Sequence, residues 1–147
     1  MRKIYILCAL PLLLGCNKAK TTNDSKADSS EIIYDYSDVS HLTIEWKEIL
    51  NQEEERYFGY VYSSQCGHCK EIKQDVIKAA LNGEKKIYFI TYTKEIPIIT
   101  NASNNIGVDD YEKLGIIGTP TLFEIEKRIV MDCYTGSEAI IATLTNH

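Results

Sequence analysis

Four consecutive residues carry the clearest chemistry in this chain: Cys66, Gly67, His68 and Cys69. Two thiols separated by two residues reach one helical turn together, so they can close and open a disulfide. Their setting strengthens that reading. An aromatic and β-branched run ends just before them, and a helical apolar stripe follows them. A thiol at the start of a helix meets unpaired backbone N–H groups and the positive end of the helix dipole, which favour the thiolate. The thiolate is the form that attacks disulfides. With helical geometry expected from Cys66, that residue is the exposed nucleophile and Cys69, one turn in, the resolving thiol. His68 between them would lower the thiolate pKa further when protonated and favour the dithiol. Such local features matter on the scale separating a reducing from an isomerising dithiol, about 90 mV or roughly 4 kcal/mol for two electrons.

Other uses of the pair fit less well. A zinc site takes four ligands, usually from two such pairs. Outside the N-terminal sixteen residues only Cys133, His41 and His147 remain to complete one, with no second pair, so no metal is expected. A c-type haem attachment needs His directly after the second cysteine, where Lys70 stands. A purely structural disulfide at a helix start is the remaining alternative. Cys133, in an apolar strand, reads as a small buried side chain.

The elements that must position these residues follow from periodicity. Residues 57–62 (YFGYVY) and 86–93 (KIYFITYT) read as core strands. Ile72, Val76, Ile77, Ala80 and Leu81 form one helical stripe over 69–81, closed by Asn82-Gly83. A helix is expected over 43–51 with Thr43 as its cap, and a short edge strand or unstructured end over 31–36. Residues 94–110 are mixed, with a helical turn at 109–114. Strands at 121–125 and 129–134, joined by Glu126-Lys127-Arg128, are close enough to pair as a hairpin, and Ser137 is expected to cap a last helix. Strands separated by helices imply a parallel pair, and the hairpin adds an antiparallel one. The expectation is an α/β fold: a central mixed β-sheet flanked by helices.

Two blocks carry a family resemblance. The strand, Cys66-Gly67-His68-Cys69-Lys70 and its helix, followed by Leu114-Gly115-Ile116-Ile117-Gly118-Thr119-Pro120-Thr121, resemble the thioredoxin superfamily over roughly residues 41–147. The Gly-His dipeptide is that of protein disulfide isomerases. The resemblance implies a thioredoxin-like fold, a redox-active Cys66–Cys69 disulfide, and a cis Pro120 packed against it. It further implies a substrate groove shaped by Gly67, Thr119 and Pro120, with the Thr119 backbone pairing with an extended peptide. No organic cofactor is implied. Two positions depart from the family: Gln65 replaces the usual Trp, and Tyr60 stands where a buried Asp helps deprotonate the resolving thiol. The connection 94–110 is also longer than its thioredoxin counterpart and suggests a substrate-facing loop. A weaker similarity links the chain to bacteriocin transport accessory proteins.

The start of the chain reads as an address. Arg2 and Lys3 precede an apolar run from 4 to 14, too short to span a bilayer, which takes about 20 residues. Leu13-Leu14-Gly15-Cys16 resembles the lipobox of bacterial lipoproteins, which implies a lipidated Cys16, although Leu14 is larger than the usual residue there. An ordinary cleaved signal would export the chain equally; a Cys16–Cys133 bridge then becomes conceivable. The expected organisation is a signal at 1–15, a tether at 16–30, and one domain at 31–147. The tether lacks the apolar groups needed to offset its ordering entropy. The chain has 147 residues, 16 basic against 21 acidic, a balance unsuited to binding nucleic acid. The expected function is extracytoplasmic thiol–disulfide exchange with cysteine-containing secreted or envelope proteins and peptides. A non-catalytic accessory role in peptide export and an envelope reductase for apocytochromes, fed by a membrane partner, stand as alternatives.

Overall fold

The computed structural model of the chain describes residues 32–146. The expected signal, Cys16 and its lipid, the tether and His147 lie outside these residues. Within them, no helix is long and apolar enough to cross a membrane.

The architecture is the expected one, a central mixed sheet flanked by helices in an α/β fold. Strand β1 (Arg56–Tyr62) lies inside the sheet, parallel to β2 (Ile87–Thr91) and antiparallel to β3 (Thr121–Glu126). Strand β4 (Ile129–Thr135) pairs antiparallel with β3, giving the order β2-β1-β3-β4. Helix α1 (Gly67–Leu81) crosses from β1 to β2, and α2 (Ser137–Thr145) closes the chain against α1.

Both faces of the sheet are covered, which explains why β1 reads as an unbroken apolar run rather than an alternation. Phe58, Tyr60 and Tyr62 face Cys69, Ile72, Val76 and Ile77 of α1 and Ile140 and Leu144 of α2. Tyr57 and Val61 point the other way, onto Ile49, Leu50, Leu114 and Ile116. Each large aliphatic side chain so buried contributes about 1.5–3 kcal/mol, so the stripe on α1 is sufficient to seat the cysteine-bearing turn.

Several local expectations change. The helix over 43–51 is a single 3-10 turn, Trp46–Glu48, capped by Glu45 rather than Thr43. Thr43 and Ile44 are β-branched and stay extended, and the Ile44 N–H bonds the Phe89 carbonyl at 2.9 Å. Of the two readings of 31–36, the edge strand does not form: residues 32–35 carry no regular structure and lead into a 3-10 helix, Tyr36–Leu42, opened by an Asp35/Asp38 capping box. The Gln74 side chain pins it to α1 by hydrogen bonds of 2.7 Å to both the Tyr34 N–H and carbonyl. Gly136, at φ 84°, caps α2; Ser137 is its first helical residue. In the hairpin Glu126 already pairs with Ile129, so only Lys127 and Arg128 form the turn, both at positive φ.

Candidate active site

The chain leaves β1 at Tyr62 and turns through Ser63, Ser64 and Gln65 into Cys66. Helical geometry starts at Gly67, one residue later than expected. Cys66 is the N-cap, with φ −79° and ψ 124°, and its Sγ accepts the Cys69 N–H at 3.3 Å. A cap atom must be an acceptor, so the fold itself favours negative charge on this sulfur. Cys66 is partly exposed while Cys69 is fully buried, which gives the expected division between an outer and an inner thiol.

Opposite the cysteines stands the 114–120 segment. The Thr119–Pro120 peptide is cis, as the resemblance implied. The Cys66 thiol donates to the Thr119 carbonyl at 3.1 Å, so the fold brings Cys66, Cys69, Thr119 and Pro120 together. Pro120 is buried, and Gly67 is exposed on the rim. The Thr121 hydroxyl ties back to the Gly118 carbonyl at 2.7 Å and fixes the exit of this turn.

Electrostatics separates the two thiols. Burial pushes the Cys66 thiol up, but hydrogen bonds from the Thr119 side chain, from Cys69 and from the His68 and Cys69 amides outweigh it, leaving Cys66 below the ordinary thiol value. The bond to the Thr119 carbonyl exists only for the protonated thiol and opposes part of that gain. Cys69 moves the other way: burial raises it first, and its hydrogen bond to Cys66 raises it further. Cys66 therefore ionises first.

His68 differs from expectation. Its backbone amide helps Cys66, but its imidazole is turned to Glu71, with Nδ1 3.0 Å from Oε2. The Glu71 carboxylate raises the imidazole pKa by hydrogen bonding and charge, with Cys66 the smallest contribution. The Ser137 hydroxyl lies 3.3 Å from both the His68 carbonyl and Glu71 Oε2, tying the α2 start to the first turn of α1. Glu71 was legible as a three-residue helical neighbour of His68. Ser137 was not, being 69 residues away.

Asn105 also escaped the sequence reading. Buried, it clamps Gly115 through both amide atoms, donating to the carbonyl at 2.9 Å and accepting from the N–H at 3.0 Å. Residues 97–108 thus brace the proline-bearing segment: Ile98 bridges to Ile116, and Gly107 and Val108 bond Val130. Cys133 faces Asn105 Nδ2 at 3.5 Å, its thiol pushed up to about 11 by burial, the state of an inert core cysteine. Among the described residues, no group of three or more His, Cys, Asp or Glu gathers as a metal site.

No protein-family model matches the chain, and no curated protein matches it by sequence. Solved structures do. Thioredoxin f2 of Chlamydomonas reinhardtii is similar at 14% identity and a TM-score of 0.46, covering 69% of this chain and 91% of that one. A Plasmodium falciparum thioredoxin is similar at 14% identity and 0.43, covering 69% and 94%. Thioredoxin f from spinach chloroplast is similar at 17% and 0.42, covering 71% and 87%.

Proposed function

We propose that the chain is a thiol–disulfide oxidoreductase that exchanges disulfides with cysteine-containing proteins or peptides. The observation that carries this reading is the Cys66 sulfur: a partly exposed helix cap, held against the Thr119 carbonyl beside a cis proline, with a buried second thiol one turn behind. In the reducing sense, the Cys66 thiolate attacks a substrate disulfide and one substrate sulfur leaves as a thiol after taking a proton. Cys69 then attacks Cys66 Sγ, closing the Cys66–Cys69 bond and releasing the second substrate thiol. Two electrons pass to the substrate, and every step runs in reverse for oxidation. The depressed Cys66 pKa stabilises the reduced form and favours the oxidising or isomerising direction.

Gly67, Thr119 and Pro120 form the substrate-facing rim in this reading, with His68 as a modest tuner. We further propose that the protein works outside the cytoplasm, exported through residues 1–15 and anchored by a lipid on Cys16, with secreted or envelope proteins as partners. Labelling with a lipid precursor, abolished by Cys16→Ala, tests the anchor.

The potential of the purified chain, measured against glutathione with Cys66→Ser as control, tests the chemistry. A value near the isomerase range supports an oxidase or isomerase. A value at or below the thioredoxin range supports the envelope reductase. No reversible couple overturns the enzyme and leaves the accessory role in peptide export.

A further inference from the structure

The outer edge of β2 is covered over only part of its length. The Phe58 N–H bonds the Lys86 carbonyl at 2.8 Å, and the Tyr92 N–H bonds the Tyr62 carbonyl at 2.7 Å. Even-numbered residues of this strand therefore turn their backbone groups to β1, and odd-numbered ones turn theirs outward. On the outer side one bridge, Thr43 against Phe89, covers the edge, with the Ile44 N–H on the Phe89 carbonyl. The covering chain then leaves, because the Glu45 N–H bonds Glu48 Oε2 at 3.0 Å and opens the Trp46–Glu48 turn. Thr91 is the next outward residue. It is exposed, and among the described residues neither its N–H nor its carbonyl has a hydrogen-bond partner. An uncovered edge of this kind is a template for another chain.

Thr91 also lines a cleft of about 700 Å³. Half-buried Trp46 and Tyr111, each on a 3-10 turn, line it with Ile90 of β2. The Trp46 ring rests on buried Phe123, 5.9 Å between centroids, which fixes that wall. Three carboxylates share the cleft, Glu45, Glu95 and Glu112, against one cation, Lys47, which Glu45 holds at 2.7 Å. Glu95 and Glu112 are exposed and, among the described residues, have no ion-pair partner. We propose that this cleft docks an extended cationic segment of a partner protein. The segment's backbone bonds Thr91 as an added strand, an apolar side chain enters against Trp46 and Tyr111, and basic side chains to either side meet the free carboxylates. Alternate residues of a strand share a face about 6.6 Å apart, so the matching pattern is basic–x–apolar–x–basic. Each observation selects one feature of the occupant: the strand edge a peptide backbone, the aromatic walls an apolar side chain, the carboxylates its positive charge. The inference goes beyond the oxidoreductase reading and does not depend on it.

Trp46 is the chain's only tryptophan, so its fluorescence reports occupancy of the cleft directly. The probe is the cysteine-free peptide Lys-Ser-Leu-Ser-Lys, capped at both ends and titrated into the full-length chain, with Glu-Ser-Leu-Ser-Glu as the control. The expected result is a saturable change in Trp46 emission with the lysine peptide alone, weakening as salt screens the charges. Glu95→Lys and Glu112→Lys together should weaken that binding about tenfold; both side chains are exposed, so the fold should be little affected. Thr91→Pro removes the outward N–H at an edge position, where proline is tolerated, and should weaken binding too. Amide NMR shifts of the wild-type chain, centred on Thr91 and Glu95, locate the peptide without any substitution. No saturable response into the millimolar range by either method overturns the proposal. So does an equal response to the two peptides, or a set of shifts centred on Cys66 and Thr119, which would place the peptide at the cysteines instead.

Discussion

At Cys66, burial and hydrogen bonding pull in opposite directions, and the donors win. The Thr119 side chain heads those donors, so Thr119→Val should raise the Cys66 pKa and slow its alkylation near neutral pH. A pH series of iodoacetamide rates checks this; an unmoved midpoint would assign the depression to Cys69 and the backbone amides. Glu71 is the second residue-scale handle. Glu71→Gln removes the carboxylate that raises the His68 imidazole pKa, so the imidazole should titrate closer to the ordinary value of about 6.5. Proton NMR of the His68 ring measures it. The redox potential should move little, because the imidazole is paired with Glu71 rather than with the thiolate. The CxxC sequence was legible as a reactive pair, but the direction in which His68 points was not: that depended on which carboxylate the first turn presented to it.

Among the elements, the proline-bearing segment is held from behind. A Cβ on Gly115 would sit 2.5 Å from Ile99 Cγ2 and 2.9 Å from the Pro97 carbonyl, and no flexible side-chain end is available to give way at the latter. Gly115→Ala should therefore cost about 1–3 kcal/mol. It should also loosen the Thr119 contact, seen as a lower denaturant midpoint together with a Cys66 pKa nearer that of a free thiol. A stable variant with an unchanged pKa would show that the brace and the site are uncoupled. Within the connection over 94–110, residues 97–108 bond Ile116 and Val130 through backbone, and their polar composition hid the buried asparagine that clamps Gly115.

For the whole molecule, burial of titratable groups sets a limit at high pH. Burial raises Cys69, Tyr60 and Tyr36, and pushes Cys133 up to about 11 and Tyr134, further raised by Glu124, up to about 12. These acids stay protonated in the folded chain at pH values where the unfolded chain has released them. Stability from this source is whole below the unfolded thiol pKa of about 8.5 and falls as pH rises beyond it. Denaturant midpoints should therefore decline steadily from about pH 9 upward. A flat profile there would mean that these groups are more solvated than their burial indicates.

The strands, α1 and the two thiols on its first turn were legible because each is written in local pattern: continuous apolar runs for strands covered on both faces, a helical stripe, and a fixed two-residue spacing. Local pattern failed at 43–51, where a β2 carbonyl captured the Ile44 N–H and extended backbone won over helix. It could not show that Asn105 clamps Gly115, that Ser137 reaches Glu71, or that Tyr36 packs against the cluster holding Cys69. Tyr36 and Cys69 are brought together by the packing of a 3-10 helix onto α1. The chain's own periodicity determines what each segment buries; only the tertiary fold decides which polar atoms are left facing one another once that burial is complete.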